Sequence, residues 1–192
     1  MDKKSLIEEL KKDCLSCKKC VLGETRTNIV FSSGDVESAK AILIGEAPGA
    51  NEDLTGTPFV GKAGKFLDKL LEEVGISREK DLYIINTVKC RPPKNRVPSK
   101  EEKAACRDFL VRQIEIIEPK LLIFCGNTAL KSFYSNKGSF SSVRGKLLDI
   151  SLNNKGYKGI AIYHPSYLMQ YATKEQIEMT KEDLRLIKNK IN

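Results

Sequence analysis

Cys14, Cys17 and Cys20 repeat at a spacing of three, and Cys90 and Cys106 lie 16 positions apart much further along. Two close thiolates joined by two distant ones can hold a tetrahedral metal ion or a cuboidal iron–sulfur cluster, and either would close a long loop of chain. Four sulfur ligands suit zinc and iron alike. Zinc ribbons usually pair two C-x2-C knuckles, and here the second pair is widely spread, which tilts the reading toward a cluster. The plainer use of such residues is as small apolar side chains. Cys125, inside the run LLIFCG, fits that use best. The other reactive groups are an imidazole and a carboxylate. His164 is the only histidine, and Glu46 stands in the segment Gly45-Glu46-Ala47-Pro48-Gly49. Brought to one edge of a fold, the two could share acid–base or electrostatic work.

Such an edge is what the flanking elements predict. Lys40–Gly45, Leu82–Val88, Leu121–Cys125 and Lys158–Tyr163 are short apolar runs of the kind buried strands require. Residues 4–13 read as a helix. So do Lys62–Val74, with Phe66, Leu67, Leu70, Leu71 and Val74 at helical spacing before Gly75, and a segment opened by a Ser99–Glu102 capping box that runs to about Glu118. Asn127–Tyr134 and residues 173–191 supply further helices, and Asn153–Gly159 reads as a turn-rich surface connection. Strands alternating with helices predict a parallel sheet covered on both faces. In such sheets sites gather at the carboxyl ends of the strands. Four features then converge there: the Glu46 segment, Asn86 with the following Lys89-Cys90-Arg91-Pro92-Pro93, Gly126, and His164-Pro165-Ser166-Tyr167-Leu168.

The chain has 192 residues, 41% hydrophobic and 30% charged. This composition excludes a disordered tail and predicts one globular domain over 1–192. No apolar run approaches the ~20 residues that span a bilayer, and the first residues lack a secretory leader. A cytoplasmic protein without membrane contact is expected. Lysine and arginine outnumber acids 33 to 25, a net charge of +8, which points to a polyanionic partner. The charge is concentrated in Lys89–Lys100, where Lys89, Arg91, Lys94, Arg96 and Lys100 occur with no acid and three prolines. Those prolines predict a stiff basic loop outside helix and strand. Lys11, Lys12, Lys18 and Lys19 add charge around the first cysteines, where cations also offset the charge of a bound cluster.

The motifs occur in an order that resembles the family 4 uracil-DNA glycosylases, the iron–sulfur branch of their superfamily. The pieces are Cys17-x2-Cys20 with Arg26-Thr27-Asn28, GEAPG at 45–49 with Glu52-Asp53, and Pro58-Phe59-Val60-Gly61. They continue with Asn86-Thr87-Val88-Lys89-Cys90-Arg91-Pro92-Pro93, Ala104-Ala105-Cys106 and His164-Pro165-Ser166-Tyr167-Leu168. The resemblance implies a three-layer α/β/α sandwich around a four-stranded parallel sheet and a 4Fe–4S cluster. By position its ligands would be Cys17, Cys20, Cys90 and Cys106, with Cys14 an alternative of identical spacing and Cys125 a spare. It implies hydrolysis of the bond between uracil and deoxyribose with water as nucleophile. Phe59 would stack on the flipped base and Asn86 would read its edge. His164 would stabilise the departing anion, and Glu46 would activate water beside Ala47 and Pro48. Leu168 would fill the gap in the duplex, and Ser166, Arg91, Lys94 and Arg96 would grip DNA, single- or double-stranded. A monomer in a prokaryotic cytoplasm, near the nucleoid and touching replication or repair proteins, is the implied setting.

The sequence departs from the family pattern at Val21, Thr57, Met169-Gln170 and Cys125. A related branch traps uracil-DNA through a histidine between the third and fourth cysteines, and the interval 91–105 contains none. Two other readings stand beside this one: a non-catalytic nucleic-acid-binding relative, and an electron carrier that would have no need of Phe59, Asn86 or His164.

Overall fold

The computed structural model describes residues 2–135 and 138–192. Helices α1 (Lys3–Leu15) and α2 (Leu22–Thr25) precede strand β1 (Ala41–Gly45). Helices α3 (Ala50–Thr55) and α4 (Lys62–Val74) lead to β2 (Leu82–Asn86), and α5 (Lys100–Ile117) leads to β3 (Leu121–Cys125). Then come α6 (Asn127–Lys131), α7 (Phe140–Val143), β4 (Leu148–Leu152), β5 (Lys155–Ile162), α8 (Pro165–Gln170) and α9 (Lys174–Ile191).

Among the described residues the strands form one five-stranded sheet in the order β2-β1-β3-β5-β4. The first four of these run parallel, and β4 pairs antiparallel with β5. The expected four parallel strands are present, and the fifth is a correction. Its alternation Leu148-Asp149-Ile150-Ser151-Leu152, apolar in and polar out, marks an edge strand with one wet face. The stretch read as a surface connection is instead a hairpin. Asn153 and Asn154 hold φ of 47° and 64°, the left-handed pair that a two-residue turn of this twist demands, and β5 begins at Lys155.

Both faces of the sheet are covered. Ile42 and Ile44 of β1 join Tyr83, Ile85, Leu122 and Phe124 in a core against α1 and α5. Ala41 and Leu43 point the other way, to a core with Leu67, Leu70 and Leu71 of α4 and Leu184 and Ile187 of α9. Burial on both sides is why these strands are continuous apolar runs rather than alternating ones. Helix α4 has the predicted bounds and stops at Gly75, whose φ of 71° needs a residue without a Cβ. The capping box is formed: Glu102 N–H donates to Ser99 Oγ at 3.2 Å, and Ser99 N–H to Glu102 Oε2 at 2.8 Å. Strand β2 ends two residues earlier than predicted, because Thr87 N–H turns aside to Gly45 O. No helix among the described residues is long and apolar enough to cross a membrane.

Candidate active site

Parallel pairing brings the carboxyl ends of β1, β2, β3 and β5 to one edge of the sheet, and Gly45 sits directly opposite Asn86 in the register. A cleft of about 260 Å³ opens there, lined by Glu46, Ala47, Pro48, Phe59, Asn86, His164 and Ser166 among others. That volume lies near the lower end for small-molecule sites and suits one planar ring. The residues predicted to handle the base therefore share one cavity.

Each is held from behind. A Cβ on Gly45 would lie 2.4 Å from Asn86 Oδ1 and 2.6 Å from Phe59 Cζ, so the glycine makes the room that the amide and ring occupy. Phe59 adopts φ 54°, a strained conformation for an aromatic residue. Arg78 stabilises it, donating from Nη1 to Phe59 O at 2.9 Å and from Nη2 to Pro58 O at 2.6 Å while pairing with Asp68 at 2.6 Å. Glu52 accepts from the amides of Val60 and Gly61 at 2.9 and 2.8 Å and from Gly49 at 3.1 Å, which staples the two loops of the cleft together. Asp53, buried, accepts from the amides of Thr27 and Asn28. Thus the Arg26-Thr27-Asn28 and Glu52-Asp53 motifs act as latches.

His164 caps the N-terminus of α8. Ser166 N–H donates to its Nδ1 at 3.2 Å, and the Ser166 hydroxyl lies 2.7 Å from the same nitrogen. Nδ1 is therefore the acceptor, and the ring proton resides on Nε2. Part of the residue stays exposed along the cleft, yet burial of the ring pushes its pKa down to about 4, so the imidazole is neutral near pH 7. Its ring centroid lies 6.1 Å from that of Phe59, tilted by 36°. The Glu46 carbonyl accepts from Thr87 Oγ1 at 2.6 Å, which fixes the backbone that carries the carboxylate.

One expectation about DNA contacts needs correction, and the others gain partners within the chain. Leu168 is 2% exposed and packs into the core beneath α8, because the helical turn after His164 points it at α4 and α9. It is not poised as a wedge, and the apolar side chains exposed at that end of α8 are Met169 and Tyr171. The Ser166 hydroxyl lies against the imidazole Nδ1. Arg96, 44% exposed, pairs through Nη1 and Nη2 with the buried Glu102, closing the basic loop onto α5. Arg91 donates to Asn95 Oδ1 at 2.8 Å, and Lys94 is exposed at φ 54° within a single 3-10 turn, Pro93–Asn95, that the prolines did not prevent.

On the far side of Asn86 a second recess is lined by Cys14, Cys17, Cys20, Cys90 and Cys106, with Arg26, Lys89 and Phe109. Cys125 is buried elsewhere, in the core on the opposite face of the sheet. Among the described residues no three His, Cys, Asp or Glu groups stand close enough to hold a metal ion. Five thiols line one recess with Arg26 and Lys89 beside them, a donor set whose chemistry fits an iron–sulfur cluster. Charge compensation is at hand: Arg26 Nη1 donates to Cys90 Sγ at 3.4 Å, and Lys89 is buried beside the sulfurs. Burial pushes the Cys14 and Cys90 thiols up to about 12 and about 11. It pushes the Lys89 ammonium down to about 8 against the pull of Cys106, Cys14 and Cys90. Cys14 lines the same recess as the four expected ligands, so five thiols stand where four are needed.

The family model described as the Uracil DNA glycosylase superfamily matches residues 31–188. The type-4 uracil-DNA glycosylase of Thermotoga maritima is 43% identical over 188 residues, covering 97% of this chain and 95% of its own. That of Archaeoglobus fulgidus is 42% identical over 167 residues, 85% of this chain and 83% of its own. A type-5 uracil-DNA glycosylase of Pyrobaculum aerophilum is 30% identical over 168 residues, 79% of this chain and 72% of its own. With its ordered motifs meeting at one sheet edge, the chain belongs to the uracil-DNA glycosylase superfamily, in its type-4 branch.

Proposed function

We propose that this protein removes uracil from DNA by hydrolysing the bond between the base and deoxyribose, acting as a single domain and leaving an abasic site. The observation that carries the reading is one cleft holding a benzyl ring, a carboxamide and a neutral imidazole with its proton on the nitrogen away from Ser166. Extruding a base from the stack costs a few kcal/mol, which contacts in the pocket must repay. Phe59 gives the flipped ring its stacking face. The Asn86 amide pairs a donor and an acceptor with the edge of uracil, and cytosine presents the reverse pattern there.

Bond breaking leaves positive charge on the sugar and negative charge on the base. His164 Nε2–H donates to the uracil O2 as that charge builds. A neutral donor already in place does this without reorganisation, as in an oxyanion hole. Glu46 orients the attacking water and offsets the sugar's positive charge. The carboxylate, amide and imidazole that line the cleft support a monofunctional hydrolase with water as nucleophile. Arg91 and Lys94 are the loop cations left to meet phosphates.

Cys17, Cys20, Cys90 and Cys106 would hold a 4Fe–4S cluster, with Cys14 adjacent. Such a group supplies a covalent tie between the segment after α1, the end of β2 and helix α5. An electron carrier would not require the locked cleft, and a non-catalytic binder would not require a desolvated imidazole. Uracil release from a labelled oligonucleotide, with hypoxanthine and xanthine substrates in parallel, tests the proposal. Release of uracil from single- or double-stranded DNA with no β-elimination of the abasic product is expected, and tight binding without release overturns it.

A further inference from the structure

The reading of the cleft leaves one buried cation without a task. Lys89 is 1% exposed, three residues beyond Asn86 and adjacent to Cys90. Its Nζ donates to Asn86 O at 3.0 Å, and its side chain forms part of the wall of the cysteine recess. Its own carbonyl accepts from Val30 N–H at 2.8 Å, so the backbone at this point is pinned to the segment after Asn28.

An ammonium has three N–H donors and no acceptor. One is used on the Asn86 carbonyl, and the same side chain lines the recess that Cys14, Cys17, Cys20, Cys90 and Cys106 line. A charge buried without a counter-charge is strongly destabilising. Lysine is therefore tolerable here when the recess carries negative charge, and thiolates holding a cluster are such a charge. Donors directed at ligating sulfurs also tune how firmly they hold a metal. The other end of the contact matters as much. Asn86 is the last residue of β2, an edge strand whose Ile84 pairs outward with Ser33, so two residues on the Asn86 carbonyl faces that same outer edge. The Lys89 ammonium takes the place of the missing strand partner.

We infer that Lys89 is a positioning residue that ties the thiolates of the cluster to Asn86, so that an intact cluster keeps the uracil-reading amide in register. The inference rests on the proposed uracil chemistry and on the cluster assignment, and its test separates the three. Cluster-loaded wild type, Lys89→Met and Lys89→Arg are compared by the decay of visible absorbance under a chelator, by uracil-release kinetics, and by inhibition with free uracil.

Lys89→Met keeps the stem and removes the charge. Its absorbance decays about tenfold faster, in line with losses seen for outer-shell partners of metal ligands. Free uracil inhibits it about tenfold more weakly, with the change in KM larger than that in kcat. Lys89→Arg keeps the charge and restores the lifetime of the absorbance. Where Lys89→Met gives no soluble protein, Lys89→Gln is read in the same way. An unchanged absorbance lifetime overturns the inference, and so does faster decay with unchanged uracil inhibition. Failure of the underlying readings shows in the wild type itself, as a colourless protein for the cluster or as absent uracil release for the activity.

Discussion

The two recesses on either side of Asn86 are built on opposite plans. The walls of the base cleft grow from the ends of parallel strands, and the hydrogen-bond ladder that aligns Gly45 with Asn86 also sets the distance between loops. Glu52 and Arg78 then lock the backbone of the Phe59 loop, and Ser166 locks the imidazole. The cysteine recess has no such frame. Its thiols come from the end of α1, the segment after it, the loop four residues beyond β2 and the first half of α5, joined by packing of α1 on α5 and by Arg26. A site on a sheet edge holds its geometry through the backbone, whereas a site between loops depends on what binds there.

That contrast can be broken at either side. The largest effect is expected at the recess: Cys90→Ala removes a thiol that links distant segments, and should cost the visible absorbance and the soluble protein together. Absorption spectra and the yield of folded protein check this; a colourless, stable and fully active Cys90→Ala would refute the ligand assignment. At the cleft, His164→Ala should lower uracil release by about 10²–10³-fold, the scale for losing one preorganised donor, while absorbance and unfolding temperature stay near wild type. Single-turnover kinetics measure it, and an active His164→Ala would remove the imidazole from the mechanism.

Gly45→Ala sharpens the comparison, because it disturbs the base cleft without touching the cysteine recess. The added methyl would stand 2.4 Å from Asn86 Oδ1, and kcat/KM should fall about tenfold with the cluster spectrum intact. The smallest effect concerns pH. Burial sets the folded pKa of His164 at about 4, below its ordinary 6.5. The unfolded chain therefore binds more protons between these values, and the stability from keeping this ring neutral is present above 6.5 and declines as pH falls toward 4. Uracil release should show no histidine inflection near 6.5 and a loss only as the ring gains a proton near 4. An inflection near 6.5 that disappears in His164→Ala would contradict the neutral donor.

Much of this was legible from residue order. Helix α4 could be read from Phe66, Leu67, Leu70, Leu71 and Val74 with Gly75 behind them, since apolar spacing and a glycine stop are local signals. Glu46, Asn86 and His164 were legible because each stands at or just beyond the end of a strand, whereas Phe59, between α3 and α4, was legible only through its motif. The edge strand β4 was missed although Leu-Asp-Ile-Ser-Leu alternates with period two and Asn153-Asn154 is a turn pair. Five residues of alternation carry little weight beside four fully apolar runs. Leu168 illustrates a different limit: a leucine four residues after the histidine looks free in a motif, and only the packing of α8 against α4 turns it inward.

Local chemistry thus dictated the strand cores, the helix caps, the identity of the reactive groups and their place at one sheet edge, because these depend on neighbours a few residues away. Partnerships across the chain were decided in three dimensions. Arg78 holding Phe59, Glu52 joining two loops, Arg96 committed to Glu102 and Lys89 set between Asn86 and the thiols all depend on segments that meet once the sheet has closed. A charged side chain reads alike in a sequence whether it faces water or a buried partner; desolvation, which exists only in the folded molecule, separates the two.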